Sequence, residues 1–386
     1  MSNLIPVVDI VKPQKMFVEA HIADIHFGVL PPYIEYNILK EQFLSYLYQM
    51  NVLDIVSING DLFDHKMMAS SEAIMFANQF IYELAEICKI KGATLIIIAG
   101  TLSHDSDQLK IFYPYTLSQE IDVRIVTTIQ FLYIKGKRIL CIPELYNKGE
   151  KYYNDYLVYG GLYDACYMHG TYKGAIYGKN TRDLNSNREP VFDIDDFGSC
   201  LGPIISGHNH IHSVYDKDFY YCGSPIRWCF GEEQEKGFLI LLHDISTRHY
   251  LVHFEPIVSF RYDTIELSNI MQSNPNTIIN YINEIKKNGI DYLRVMITVN
   301  DAEKIAILKS YYRNAKDITI IADYEKNKIE EKLQEMEDSY KNEFSYLFDM
   351  NLSPEEKLIQ YMNNKYKSVI WDTDSFKSFM EKIQNL

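Results

Sequence analysis

Along the first 250 residues, short runs of small and β-branched residues alternate with longer amphipathic stretches. Phe17–Ala23, Asp54–Ile58 and Thr94–Ala99 have the length and composition of buried strands. Tyr36–Gln49 and Ser70–Lys91, between them, repeat apolar residues at helical spacing. Strand–helix alternation of this kind predicts an α/β layered fold. The pattern then tightens. Val123–Val126, Ile129–Ile134 and Arg138–Ile142 are closely spaced strands, with a turn at Lys135-Gly136-Lys137. Further strands are expected at Ala165–Met168, Pro203–Ser206, Phe219–Tyr221, Phe238–His243 and Tyr250–Glu255. The expected fold class is therefore α/β, a two-sheet β-sandwich flanked by helices. After residue 258 the pattern restarts as a small α+β unit. Its strands are Ser259–Leu267 and Tyr292–Val299, and its helices Thr277–Lys287 and Asp301–Ala315. Tyr324–Phe348 is charged and helical, followed by short helices at Pro354–Tyr366 and Thr373–Gln384. This gives three expected domains, 1–257, 258–322 and 323–386.

Composition narrows the class. The chain has 386 residues, 47% apolar and 23% charged, so it can bury a core. No uncharged apolar run approaches the ~20 residues that span a bilayer. Met1–Lys15 has no apolar segment with a cleavage site. A cytoplasmic protein is expected, in the host cytoplasm if a phage encodes it. Its six cysteines form no Cys-x-x-Cys pair, which argues against a zinc ribbon or a thioredoxin-like site. A net charge of −14 argues against coating nucleic acid by bulk charge. It leaves room for an enzyme with a local basic groove or a metal centre. The 31 tyrosines have no functional reading.

The chemistry-bearing residues stand at strand ends. Asp24-Ile25-His26 follows the first strand, and Gly60-Asp61-Leu62-Phe63-Asp64 the second. Gly100-Thr101-Leu102-Ser103-His104-Asp105 follows the third. His169-Gly170 and Gly207-His208-Asn209-His210 follow later ones. Ligands collect at the carboxyl ends of strands in α/β sheets. Asp24, His26, Asp61, His104, His169, His208 and His210 are thus expected to converge. Any one of these histidines reads as readily as a satisfied structural residue. Five ordered segments at strand ends do not. His21, inside a strand, reads as structural. Carboxylates mixed with imidazoles suit Mn²⁺, Fe²⁺ or Zn²⁺. So many ligands imply two metals sharing a carboxylate, suited to in-line phosphoryl displacement.

This order resembles the calcineurin-like metallophosphoesterases over roughly residues 17–255. Within them it looks most like the SbcD-type double-strand-break repair nucleases, relatives of the meiotic-recombination nuclease. Gly60-Asp61-Leu62-Phe63-Asp64 carries that likeness. So does Gly223-Ser224-Pro225, followed by Glu232 or Glu233 and by Lys236-Gly237-Phe238. The resemblance implies that Asp24, His26 and His210 hold a first metal, that Asp61 bridges, and that His169 and His208 hold a second, most plausibly both Mn²⁺. His104 would stand beside the scissile phosphate as the catalytic histidine. Asp64 and Asp105 would orient ligand histidines or loops. In the family an Asn precedes the catalytic His and binds the second metal. Here the loop is two residues longer and has no Asn, and Ser103 takes its place as the expected, weaker ligand.

The implied activity is metal-dependent hydrolysis of DNA ends, 3′→5′ exonucleolytic and endonucleolytic. The implied partners are an SbcC-like SMC-type ATPase and a second copy of the chain. Residues 258–322 would cap DNA, and the helical tail would dock on the ATPase. Lys66, Lys173 and Arg227 are candidate phosphate contacts, or ordinary solvated charges. Tyr172 and Tyr177 are candidates for stacking on bases or for packing their loop. Two other readings compete: a phosphodiesterase for small molecules on the same fold, and a non-catalytic adaptor.

Overall fold

A computed structural model describes residues 16–146, 148–176, 191–216, 218–299, 301–322, 352–365, 372 and 374. The first strand, β1 (Met16–Ile22), leads into helix α1 (Pro32–Leu39). A π-helical turn at Lys40–Leu44 joins α1 to α2 (Ser45–Gln49). Next come β2 (Ile55–Asn59), α3 (Glu72–Lys91), β3 (Thr94–Ile98), α4 (Tyr113–Thr116) and β4 (Asp122–Val126). The following elements are β5 (Gln130–Ile134), β6 (Lys137–Ile142), α5 (Gly149–Leu157), β7 (Ala165–His169) and β8 (Thr171–Tyr172). Then come β9 (Val191–Phe192), β10 (Ile204–Gly207), β11 (Ser213–Tyr215) and β12 (Phe219–Tyr221). The hairpin β13 (Lys236–Asp244) and β14 (His249–Ile257) follows. The remaining elements are β15 (Tyr262–Glu266), α6 (Pro275–Lys286), β16 (Tyr292–Ile297), α7 (Ala302–Tyr311), β17 (Ile318–Ala322) and α8 (Pro354–Lys365).

The expected mixed α/β architecture is present. One six-stranded sheet runs β14-β13-β1-β2-β3-β4, and a second runs β11-β12-β10-β7-β6-β5. Their strands alternate side chains between two layers, as the period of two requires. In β3, Ile96 and Ile98 join the core shared by both sheets, whereas Leu95 and Ile97 join the core beneath α1–α3. In β7, Ala165 and Tyr167 face the shared core, while Cys166 and Met168 pack with Tyr153 and Leu157 of α5. That outer core also holds Tyr163, Tyr172 and Tyr221, so part of the tyrosine content is core packing. Tyr172 is buried there, its hydroxyl donating to Asp216, and is not placed to stack on a base. Tyr177 lies outside the described residues.

Helix α3 shows how local sequence fixes an element. Ser71 caps its start by accepting from the Ile74 N–H at 3.3 Å. Gly92 ends it in the left-handed region at φ 65°. The turn at Lys135-Gly136 has φ of 49° and 91°. It aims Lys137 into the core, where its ammonium is fully buried against Glu19 and the Tyr167 hydroxyl.

By compactness the chain divides into two units, Met1–Thr264 with Ile285–Leu293, and Ile265–Glu284 with Arg294–Leu386. A third sheet is ordered β15-β16-β17. In the second unit Ile278, Ile279 and Ile282 of α6 are buried, as are Ile305 and Leu308 of α7. Among the described residues, no helix is long and apolar enough to cross a membrane. The expected helices at 324–348 and 373–384 lie outside the described residues, apart from Asp374.

Candidate metal centre

Strands β1, β2, β3 and β4 are parallel neighbours, and so are β6, β7, β10 and β12. Gly207 of β10 pairs with His169 of β7. The loops leaving these strands bring four groups of ligand-type side chains together. They are Asp24, His26 and His210; His26, Asp61 and His104; Asp24, Asp61 and His169; and Glu144, His169 and His208. Within each group, one ligand atom per residue lies within 4.8 Å of the others. All seven expected histidines and carboxylates therefore meet in one place. Glu144, which the sequence analysis does not single out, joins them.

Backbone contacts fix the loops. The Asp24 and His26 N–H groups donate to the Gly60 and Asp61 carbonyls, both at 3.0 Å. The His208 N–H donates to the Asp24 carboxylate at 2.9 and 3.1 Å. Asp24, His26, Asp61 and His208 all have positive φ, at 52°, 55°, 52° and 91°. Buried Asp105 accepts from four N–H groups: Asp61 at 3.0 Å, Leu62 at 2.9 Å, Phe63 at 3.2 Å and Gly100 at 2.7 Å. It thereby ties the loop after β2 to the loop after β3. Burial lifts its carboxyl to about 7, and the N–H donors work against that lift. Asp64 accepts from His104 Nδ1 through its carbonyl, and its carboxylate stands 3.9 Å from His26 Nδ1.

His169 supplies the test of whether the site suits a cation. Its Nδ1 hydrogen-bonds the Asn59 carbonyl at 2.8 Å. This turns Nε2, fully buried and without a hydrogen bond, toward Asp61 Oδ2 and Glu144 Oε2, each 3.3 Å away. Such an imidazole, with its other nitrogen on a backbone carbonyl, is a typical metal ligand. A cation among these three atoms would satisfy them all. His26 Nε2 and His210 Nε2 face each other at 3.2 Å, and Asp61 Oδ2 is 3.8 Å from His26 Nε2. These groups of donors could hold a metal ion.

Charge follows from burial and neighbours. Burial opposes ionisation of Asp61, but His169, His26 and His104 hold its carboxyl well below the usual range. Burial opposes the His169 charge too, yet Asp61, Asp24 and Glu144 raise that ring well above an ordinary histidine. Burial pushes Asp24 up to about 7 and His26 down to about 4.

Ser103 is exposed and makes no hydrogen bond to the cluster among the described residues. Thr101 takes the inward position. Its hydroxyl lies 3.1 Å from both Asp61 Oδ2 and Glu144 Oε2, and its N–H donates to Asp61 Oδ1 at 2.6 Å. Glu232 braces the last loop. It accepts from the Trp228 N–H at 2.9 Å and from Lys236 Nζ at 2.8 Å. Lys236 also reaches the Ser224 hydroxyl at 2.8 Å and the His210 carbonyl at 3.0 Å. The Trp228 ring, also missed from sequence, stands edge-on to His26 and His210 at 5.1 and 4.9 Å. Of the candidate phosphate contacts, Lys66 is exposed. Lys173 is exposed but pairs with Asp193 at 3.0 Å. The Arg227 guanidinium donates to the Glu233 and Gln234 carbonyls and so braces its own loop.

No family model and no curated protein matches the chain. A solved structure of a hypothetical protein from Thermus thermophilus is similar to 62% of the chain over that protein's whole length. Its identity is 11% and its TM-score 0.33, a likeness too slight to bear on function.

Proposed function

We propose that the chain is a two-metal phosphodiesterase of the calcineurin-like metallophosphoesterase type. In this reading it cuts DNA ends as the nuclease subunit of an SbcCD-like repair complex, beside an SMC-type ATPase. One observation carries the proposal: the Asp61 carboxylate lies between two sets of donors. His26, Asp24 and His210 stand on one side, and His169, His208 and Glu144 on the other. When bound, two divalent cations, Mn²⁺ as the family resemblance implies, would supply an activated water and neutralise charge on the phosphate.

The chain's own residues supply the rest. Asp24, His26 and His210 would hold the first cation, His169 and His208 the second, and Asp61 would serve both. His104 is fixed through Nδ1 on the Asp64 carbonyl. Its other nitrogen can hold a proton for the departing sugar oxygen. Asp105 keeps the loops of Asp61 and His104 in register. Dimerisation, DNA capping by residues 258–322 and docking of the tail on the ATPase belong to the same proposal. Leu352, Leu358, Tyr361 and Met362 are the described apolar residues of that tail that stay exposed or half-buried.

A second reading is favoured by the engagement of Lys173 and Arg227 within the chain and by the net charge of −14. It is a phosphodiesterase for a small substrate. The deciding experiment is Mn²⁺-dependent digestion of a 3′-labelled linear duplex, with a chromogenic phosphodiester assayed in parallel. The DNase reading expects duplex cleavage that His104→Ala abolishes. Hydrolysis of the chromogenic ester with the duplex left intact supports the second reading. Two bound metals with no turnover on either would refute both as activities of the chain alone.

A further inference from the structure

We infer that Glu144 is a direct ligand of the second cation, doing the work of the amide that this chain lacks between Gly100 and His104. The inference rests on the two-metal proposal and adds a residue to it. Glu144 stands two residues beyond the end of β6, at the same carboxyl edge as the other ligands. Its N–H donates to the Ala99 carbonyl at 3.2 Å, which holds it beside the loop after β3.

The side chain is only 3% exposed. Its ion-pair partners among the described residues are His169 and His208; neither a lysine nor an arginine is among them. Glu144 Oε2 is 3.3 Å from His169 Nε2, 3.2 Å from His208 Nδ1 and 3.1 Å from the Thr101 hydroxyl. Its Oε1 accepts from the Tyr146 hydroxyl. A buried carboxylate needs hydrogen-bond donors or a cation to compensate it. Here the oxygen is aimed at the two imidazole nitrogens that the second cation would use. His208 reaches the Thr171 hydroxyl through Nε2 at 3.1 Å, which turns Nδ1 toward Glu144.

The consequence is a change of charge at the second site. With an amide in this place, the protein would offer one carboxylate there, Asp61. With Glu144 it offers two carboxylates and two imidazoles. That set favours a hard divalent ion and holds it more tightly, and Ser103 has no part in it.

The test is metal binding by the full-length protein, read without turnover. After chelation and titration with Mn²⁺, the parent binds two ions per chain by isothermal titration and by metal analysis after desalting. Glu144→Ala binds one. Glu144→Gln, which keeps an oxygen ligand but loses the charge, binds the second ion at least about 10-fold more weakly, and losing the ligand outright costs more than about 100-fold. Ser103→Ala binds as the parent does. Thermal melts with and without Mn²⁺ give a second readout, since an ion that binds only the folded state raises the melting point. Mn²⁺ is expected to raise the parent's melting point further than that of Glu144→Gln. Should Glu144→Ala fold and still bind two ions with the parent's affinities, the inference is wrong and the two-metal proposal stands. A parent that binds no Mn²⁺ overturns the proposal itself, and the inference with it.

Discussion

Lys137→Met is the most exacting test of how the core is built. Lys137 and Glu19 are both fully buried, and the ammonium meets the Glu19 carboxylate and the Tyr167 hydroxyl. Burial opposes ionisation of Glu19, but Lys137, His21 and His243 together outweigh it and hold the carboxyl at about 2, below its ordinary 4.5. Methionine keeps the length of the side chain and removes the charge. The carboxylate is then left in the core without its cation, which costs roughly 3–5 kcal/mol. For a unit of this size that lowers the melting point by roughly 6–20 °C. The sign of the pH dependence follows. In the parent, the folded-state pKa lies below the unfolded value. The pair's contribution is therefore full above pH 4.5 and fades as pH falls through about 2. In the variant, burial acts on Glu19 without its cation and raises the folded-state pKa above the unfolded value. Stability is then lost as pH rises, so the deficit is largest at pH 7 and shrinks toward pH 5. Urea unfolding in chelator measures this, with Trp228 as the sole tryptophan in a Trp371→Phe background. A companion Glu19→Met, Lys137→Met double variant is expected to regain most of the loss. A deficit below about 1 kcal/mol at pH 7, or one that does not narrow by pH 5, would refute the argument, because an uncompensated buried charge cannot behave so.

Three further outcomes are expected. Asp105→Asn puts an amide nitrogen in place of one oxygen and leaves two of four buried N–H donors unmatched, at about 1–3 kcal/mol each. A melting curve indistinguishable from the parent's would dismiss the loop clamp. An added Cβ at Gly207 would collide with the Asn59 carbonyl that orients His169. Gly207→Ala is therefore expected to lose affinity for the second Mn²⁺ by about 10–100-fold, the range for losing a ligand's orienting contact. Unchanged titration isotherms would contradict this. Finally, Mn²⁺ is expected to displace the proton that Asp61 and Glu144 hold on His169, so titration at pH 7 in weak buffer should release acid. A pH-indicator dye that records no release would count against His169 as a ligand.

Much of this was legible in the sequence because each signal was local. The β-branched run Thr94–Ala99 gives β3, and Ser71 and Gly92 mark the ends of α3. The residues that open each loop after a buried strand give Asp24, Asp61 and His169. What escaped depends on contacts between distant segments. Glu144 belongs to no motif. The clues were its place just past the strand Arg138–Ile142 and a neighbouring loop short of one ligand. Lys137 reads as an exposed turn residue, and only the twist of Lys135-Gly136 turns it inward. Helix α5 is polar in sequence and is recruited to the core through Tyr153 and Leu157. Arg227 reads as a free cation because its acceptors are carbonyls, which the sequence does not display.

The positive φ angles at Asp24, His26, Asp61 and His208 have a consequence for anyone improving this protein. Outside glycine, such backbone is held against a cost of order 1 kcal/mol or more per residue. With Lys135, Asp216 and Arg248, these are positions where a glycine would relax the chain. A selection for heat resistance alone, run in chelator, would be drawn to them. At Asp24, His26, Asp61 and His208 each substitution it fixed would erase a candidate ligand, so there a sturdier scaffold would come at the expense of the proposed chemistry.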